Sequence, residues 1–167
     1  MSGEFDLVIR GGMVVDGTGA QPMEADVAIK GGRIAAVGAV SGSGTEEIDA
    51  HGQIVTPGFI DLHTHLDGHV TWESQLYPAT GHGITTALIG NCGVGFAPCR
   101  PKDRDTLIHL METVEDIGFE DLSKGLPWNW ETYPQYLDAL AARRYNMDVG
   151  TLLPHSTMRA YVMGEAA

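Results

Sequence analysis

Apolar and polar positions change their rhythm once along this chain, near Pro57-Gly58. Before that point short β-prone runs recur: Leu7-Val8-Ile9, Met13-Val14-Val15, Val27-Ala28-Ile29 and Ile34-Ala35-Ala36-Val37, with Ile48 and Ile54-Val55 as shorter candidates. Ile9-Arg10-Gly11-Gly12-Met13-Val14 is echoed 20 residues later by Ile29-Lys30-Gly31-Gly32-Arg33-Ile34. Glycine takes positive φ without steric cost, so each Gly-Gly pair suits the centre of a type I′ hairpin. No helix pattern follows either pair, which disfavours a phosphate-binding glycine loop. Residues 1–56 therefore read as the amino-terminal part of a small, composite antiparallel β-sandwich unit, expected to be shared with carboxyl-terminal sequence, with residues 41–45 as a small-residue loop.

From residue 57 the grammar is different. Phe59-Ile60-Asp61-Leu62-His63-Thr64-His65 reads as a strand and residues 84–89 as a second. Over residues 103–116, Leu107, Leu110, Met111 and Val114 form the i, i+3, i+4, i+7 stripe of an amphipathic helix. Another helix starts near Thr132, with Tyr133, Tyr136, Leu137, Leu140 and Ala141 on one face and Pro134 tolerated in its first turn. Arg143 and Arg144 complement its carboxyl end. Residues 147–153 read as a third strand, and Ser156 as the cap of a last helix that stops at Gly164. Strands alternating with helices imply an α/β class built from parallel β/α units.

Composition narrows the function. A net charge of -12 and ten scattered basic residues, of which only Arg143 and Arg144 are adjacent, argue against nucleic acid as partner. With 43% hydrophobic residues and 22 glycines the chain reads as globular and rich in tight turns. No run approaches the roughly 20 apolar residues of a membrane span, and the first ten residues lack a signal-peptide pattern. Two cysteines make no disulfide framework, so a cytoplasmic protein with reduced thiols is the default expectation.

The chemistry-bearing residues sit at the ends of the first two strands of the second region. Alternation along a strand places His63 and His65 on one face with Phe59 and Asp61, and Ile60, Leu62 and Leu66 on the other. In a β/α barrel the apolar set would meet helices and both imidazoles would lie at the strand's carboxyl end, the end that carries chemistry. Such a pair can converge on one cation, or be two exposed or hydrogen-bonded histidines. The run from Ile84 to Ile89 leads into Gly90-Asn91-Cys92-Gly93, which puts Cys92 at the end of the next strand. Neighbouring strands lie about 4.8 Å apart, so two imidazoles and a thiolate there can reach one zinc ion. The alternative is a small buried cysteine in a turn.

These motifs carry a resemblance. Gly58-Phe59-Ile60-Asp61-Leu62-His63-Thr64-His65, following a glycine-rich β unit, resembles the signature of the amidohydrolase superfamily. Gly81-His82-Gly83-Ile84-Thr85-Thr86 and Gly90-Asn91-Cys92-Gly93-Val94-Gly95-Phe96-Ala97-Pro98 are similar to its N-acyl-D-amino-acid deacylase branch, as are Leu126-Pro127-Trp128-Asn129-Trp130-Glu131 and Tyr136-Leu137-Asp138-Ala139-Leu140. The resemblance implies a zinc-dependent hydrolase, with one or two ions, that cleaves the linear amide of N-acyl-D-amino acids through a metal-bound hydroxide. It also implies His63, His65 and Cys92 as ligands, two further histidines and a general acid/base aspartate from later strands, and so no catalytic residue in this segment. A (β/α)8 barrel takes about 250 residues, so residues 57–167 would be its first part, and the segment alone is expected to be inactive without the carboxyl-terminal part of the fold. The rival readings are a cyclic amide hydrolase of the dihydroorotase or hydantoinase kind, against which Cys92 speaks, and a non-catalytic remnant.

Other residues carry weaker expectations. Asp67 either supports the site or touches substrate, or forms a turn before Gly68; Asp61 either orients a ligand or pairs within the barrel; Asn91 either donates to a carbonyl or shapes the turn. His155 reads as a structural histidine more than a pocket residue, and His69, His82 and His109 as bystanders. Trp128 and Trp130 read as loop packing and Cys99 as a spectator.

Overall fold

The computed structural model describes residues 3–166. The chain forms two compact units, one up to Pro57 and one from Gly58.

The first unit is a single mixed sheet of β1 (Phe5–Val14), β2 (Met23–Lys30), β3 (Arg33–Gly38), β4 (Gly44–Asp49) and β5 (Ile54–Val55). Its order is β3-β2-β1-β4, with β5 also against β1. The expected antiparallel sandwich is thus corrected on two counts. Only β1-β2 and β2-β3 are antiparallel; β4 and β5 run parallel to β1, one after the other along its free edge. Nor is there a second layer among the described residues of this unit. The parallel pairing follows from a crossover over residues 39–43, which carries the chain from one edge of the sheet to the other. Arg10 fastens that crossover: its guanidinium donates to the Val40 and Gly42 carbonyls at 2.7 Å each, and pairs with Asp26 at 3.1 Å and Glu47 at 2.7 Å.

The two Gly-Gly pairs do different work. Gly31 and Gly32, at φ 58° and 70°, make the β2-β3 hairpin turn. Gly11 and Gly12 lie inside β1, where the register to β2 slips between Ile9 and Gly12. The Gly11 N–H donates to Asp26 Oδ1 at 2.8 Å, so a side chain 15 residues away stabilises a bulge where a turn was expected. β4 also begins at Gly44, inside the stretch expected as loop.

The second unit holds three parallel strands in the order β6-β7-β8, at Phe59–Asp61, Ile84–Ile89 and Asp148–Thr151. Between and after them lie α1 (His69–Trp72), α2 (Arg104–Glu115), α3 (Phe119–Gly125), α4 (Tyr133–Ala141) and α5 (His155–Met163). Ala87 and Ile89 of β7 enter a core with Val70, Phe96, Ile108, Met111, Leu122 and Trp130. Thr132 caps α4 through a capping box with Gln135, which explains why the helix starts there despite Pro134. Its buried side chains are Tyr136 and Leu140, while Leu137 faces solvent.

Several expectations shift. The buried face of α2 is Leu107, Ile108, Met111 and Glu115; Leu110 is exposed. α5 starts at His155 with Pro154 as its cap, so Ser156 sits inside the first turn. β6 is three residues long and an edge strand among the described residues, and Ile60 and Leu62 are exposed, not covered by helices as expected. The three strands form the parallel β/α pattern without a closed barrel. No helix among the described residues is long and apolar enough to cross a membrane.

The loops after β7 and β8 approach closely. At Gly90, φ is 75° and a Cβ would lie 2.5 Å from the Leu152 carbonyl oxygen. Gly90→Ala is expected to destabilise the fold by about 1–3 kcal/mol through left-handed strain, before any clash with Leu152, read as a lower urea midpoint; an unchanged midpoint would refute the strained conformation and the close approach together. A second expectation concerns Arg10. Asp26 is held below the usual carboxylate range by the Gly11 N–H and by Arg10, and Glu47 by Arg10 and the Gly44 N–H. Both folded-state values are depressed, so the stability they contribute is present above the unfolded value of about 4 and lost as pH falls through the folded one. Arg10→Met should lower the thermal midpoint at neutral pH, and the difference from the parent should narrow in acid when both are followed by circular dichroism.

Candidate metal centre

β6 ends at Asp61, so His63 and His65 lie in the loop beyond it, not in the strand as expected. The reason is local. The His63 N–H donates to Asp61 Oδ1 at 3.1 Å, turning the chain at the strand's last residue instead of continuing the ladder. Cys92 sits in the corresponding loop after β7, in a turn closed by the Gly93 N–H on the Gly90 carbonyl at 3.1 Å. Gly90 and Gly93 both have positive φ there. The Ser156 N–H, from the first turn of α5, donates to the Gly93 carbonyl at 2.8 Å and fastens this loop from the other side.

Parallel pairing of Asp61 with Ala87 brings the two loops to one end of the sheet. There one donor atom each from His63, His65 and Cys92 lies within 4.8 Å of the others. Cys92 Sγ is 3.8 Å from His65 Nδ1, and the two imidazole centroids are 5.5 Å apart. A tetrahedral zinc with ordinary bonds to nitrogen and sulfur separates those two ligand atoms by about 3.6 Å. The donor set therefore fits a zinc-like ion in both chemistry and spacing, with His63 and Cys92 exposed to incoming molecules.

Asn91 donates from Nδ2 to the Leu62 carbonyl at 2.7 Å, joining the residues that precede Cys92 and His63. Asp61 is engaged by the His63 backbone. Asp67 is a larger correction. It lies in a turn, as its sequence context suggests, but it is 2% exposed and is not a surface turn former. Its carboxyl is pushed up to about 8, first by burial and then by the nearby Glu115, with the Gly90 N–H opposing. Asp67 Oδ2, His69 Nδ1, both Glu115 carboxylate oxygens and the Tyr136 hydroxyl are buried without a hydrogen-bond partner among the described residues. His69 Nδ1 and Glu115 Oε2 stand 3.6 Å apart, too far for a hydrogen bond. Burial raises the Tyr136 phenol well above its ordinary range, with the Asp67 charge adding to it. Sequence reasoning missed Glu115 and left His69 as a bystander. The signal available was an acid at i+4 from Met111 and i+8 from Leu107, on the stripe that turns inward.

The remaining candidates fall outside this constellation. His82 and His155 are exposed, and His109 stacks on Phe119 and bonds Glu112 at 2.9 Å. Trp130 is buried and donates to the Phe96 carbonyl at 2.9 Å; Trp128 packs edge-on against Phe96 beneath Arg104. Both serve loop packing. Cys99 is buried and its thiol is pushed up to about 12 by burial, which leaves it inert.

The comparisons with known proteins agree with this arrangement. The sequence pattern of the amidohydrolase family matches residues 46–167. N-acyl-D-glutamate deacylase of Alcaligenes xylosoxydans xylosoxydans is 37% identical over 168 residues, covering 100% of this chain and 32% of that protein. A D-aminoacylase structure determined to address its binuclear metal centre superposes with a TM-score of 0.76 at 36% identity, covering 96% of this chain and 32% of the other. N-acyl-D-glutamate deacylase from Bordetella bronchiseptica, bound to zinc and a phosphonate mimic of the tetrahedral intermediate, gives 0.72 at 35% identity, covering 96% and 32%. The chain spans about a third of the length of these relatives. Joined to the histidine and cysteine donors at the ends of parallel strands, the match over residues 46–167 shows that this chain belongs to the amidohydrolase family.

Proposed function

We propose that these residues form part of a zinc-dependent hydrolase that cleaves the linear amide of N-acyl-D-amino acids, yielding a carboxylate and a free D-amino acid. The observation that carries the reading is the convergence of His63, His65 and Cys92, a thiolate beside a histidine pair, within 4.8 Å. The similarity to two deacylases and a D-aminoacylase supports the substrate class and the D configuration.

Each residue has a definable part. His63 and His65 offer neutral imidazole nitrogens, and Cys92 offers a thiolate that contributes negative charge to the site. Zinc, when bound there, polarises a scissile carbonyl and lowers the pKa of its water to about 7. Asp61 turns its own loop through the His63 N–H, and Asn91 ties the two loops together through the Leu62 carbonyl. No carboxylate joins the three-residue donor cluster among the described residues. By the resemblance to the deacylases, the proton on the leaving amine would come from an aspartate on a later strand of a barrel whose opening units are residues 58–167.

The test uses this chain alone and a chimera in which it replaces the corresponding third of N-acyl-D-glutamate deacylase. With zinc, the chain alone should release no amino acid. The chimera, once circular dichroism shows it folded, should hydrolyse N-acetyl-D-amino acids and spare both their L enantiomers and dihydroorotate. Cys92→Ser should cut kcat/KM by more than about 100-fold, beyond the 10–100-fold typical for groups that only touch a ligand. Turnover of dihydroorotate would favour the cyclic amide reading, and metal uptake without any turnover a non-catalytic remnant.

A further inference from the structure

The β6-β7 ladder ends at Asp61 and Ala87, two residues short of His63 and five short of Cys92. Beyond that point no backbone hydrogen bond joins residues 62–66 to residues 90–93 among the described residues. The backbone bonds that hold the loop bearing Cys92, Gly93 N–H on the Gly90 carbonyl and Ser156 N–H on the Gly93 carbonyl, do not reach the histidine loop. Nothing in the strand pairing itself dictates where the thiol points.

Apart from the donors' own contact, Cys92 Sγ to His65 Nδ1 at 3.8 Å, one side-chain bond joins these two segments among the described residues. Asn91 Nδ2 donates to the Leu62 carbonyl at 2.7 Å, between residues 29 positions apart in the chain. Its two ends are the immediate neighbours of two donors, Cys92 and His63. Asn91 is an exposed residue in a turn that glycines already shape, so the fold does not need this bond to bury apolar surface. What the bond does fix is the distance between the loop carrying the sulfur and the loop carrying the nitrogens. The observed 3.8 Å between Cys92 Sγ and His65 Nδ1 is the quantity it holds.

We infer that Asn91 is a positioning residue for the metal centre, its side-chain amide setting the Cys92 thiolate against His63 and His65. The inference rests on the three-donor reading of the proposed function. An asparagine is suited to the task because its amide donates to a carbonyl while carrying no charge that would compete for the cation. Aspartate has the same shape and no donor, which separates the hydrogen bond from mere space-filling. Groups of this kind typically govern metal affinity by 10–100-fold.

The experiment titrates cobalt(II) into the full chain and its variants, following the sulfur-to-cobalt charge-transfer band, the visible ligand-field bands and the free metal concentration. Cys92→Ser identifies the sulfur band by removing it. Asn91→Asp and Asn91→Ala are each expected to weaken cobalt affinity about 10–100-fold. At saturation their sulfur band should weaken relative to the ligand-field bands, while far-ultraviolet melts stay close to the parent. Unchanged affinity and band in either folded variant overturns the positioning role. Failure of both variants to fold assigns Asn91 to the fold and overturns it equally. A parent chain that shows no sulfur band removes the three-donor reading and this inference together, whereas a parent band with unaltered variants removes the inference alone.

Discussion

Everything in the second unit depends on a distance set by backbone hydrogen bonding. Parallel strands lie about 4.8 Å apart, and the ligand atoms around a tetrahedral zinc lie about 3.6 Å apart. Strand ends thus deliver their loops to within roughly an ångström of what a metal needs, and short polar links close the rest. In this chain β6 and β7 supply the spacing, while the Asp61 and Asn91 side chains turn and tie the loops. The sheet also explains why the donors are few and clustered: each strand end offers only two or three residues within reach.

Behind the donors the protein tolerates an unfavourable arrangement. Asp67, Glu115, His69 and Tyr136 bury polar atoms without hydrogen-bond partners among the described residues, beside a well-packed core of Leu122, Met111 and Val70. Burying such groups costs free energy that packing nearby must offset, and local violations of this kind concentrate around functional sites. Asp67 belongs to both worlds, two residues from His65 and inside the core. The loop that presents the histidines is therefore anchored by a buried side chain, and its mobility is limited on the side away from solvent.

Much of this was legible in the sequence, and the failures have physical causes. The histidine pair and Cys92 could be read because strand-end placement follows from short apolar runs and the glycines that stop them. The α/β order could be read from alternating periods. The length of β6 could not, since the Asp61 side chain competes with the ladder for the His63 amide, and a pattern of apolar residues carries no record of that contest. Gly11-Gly12 and Gly31-Gly32 look alike locally, yet Asp26 makes one a bulge, an influence from 15 residues away. The face of α2 lies toward Ile108 and Glu115 and away from Leu110, and a pattern read from apolar residues alone cannot register a buried acid. α1 and α3, at four and seven residues, are too short to show a period at all.

The contrast between the two cysteines has a practical consequence. One thiol stands in the open among nitrogen donors, and the other is sealed in the core with its proton held to about 12. A mild alkylating reagent at neutral pH therefore has a single target on the folded chain. Occupancy of the cluster by any cation becomes readable as protection of one peptide in a mass spectrum, with the sealed thiol serving as an internal gauge of whether the fold has opened.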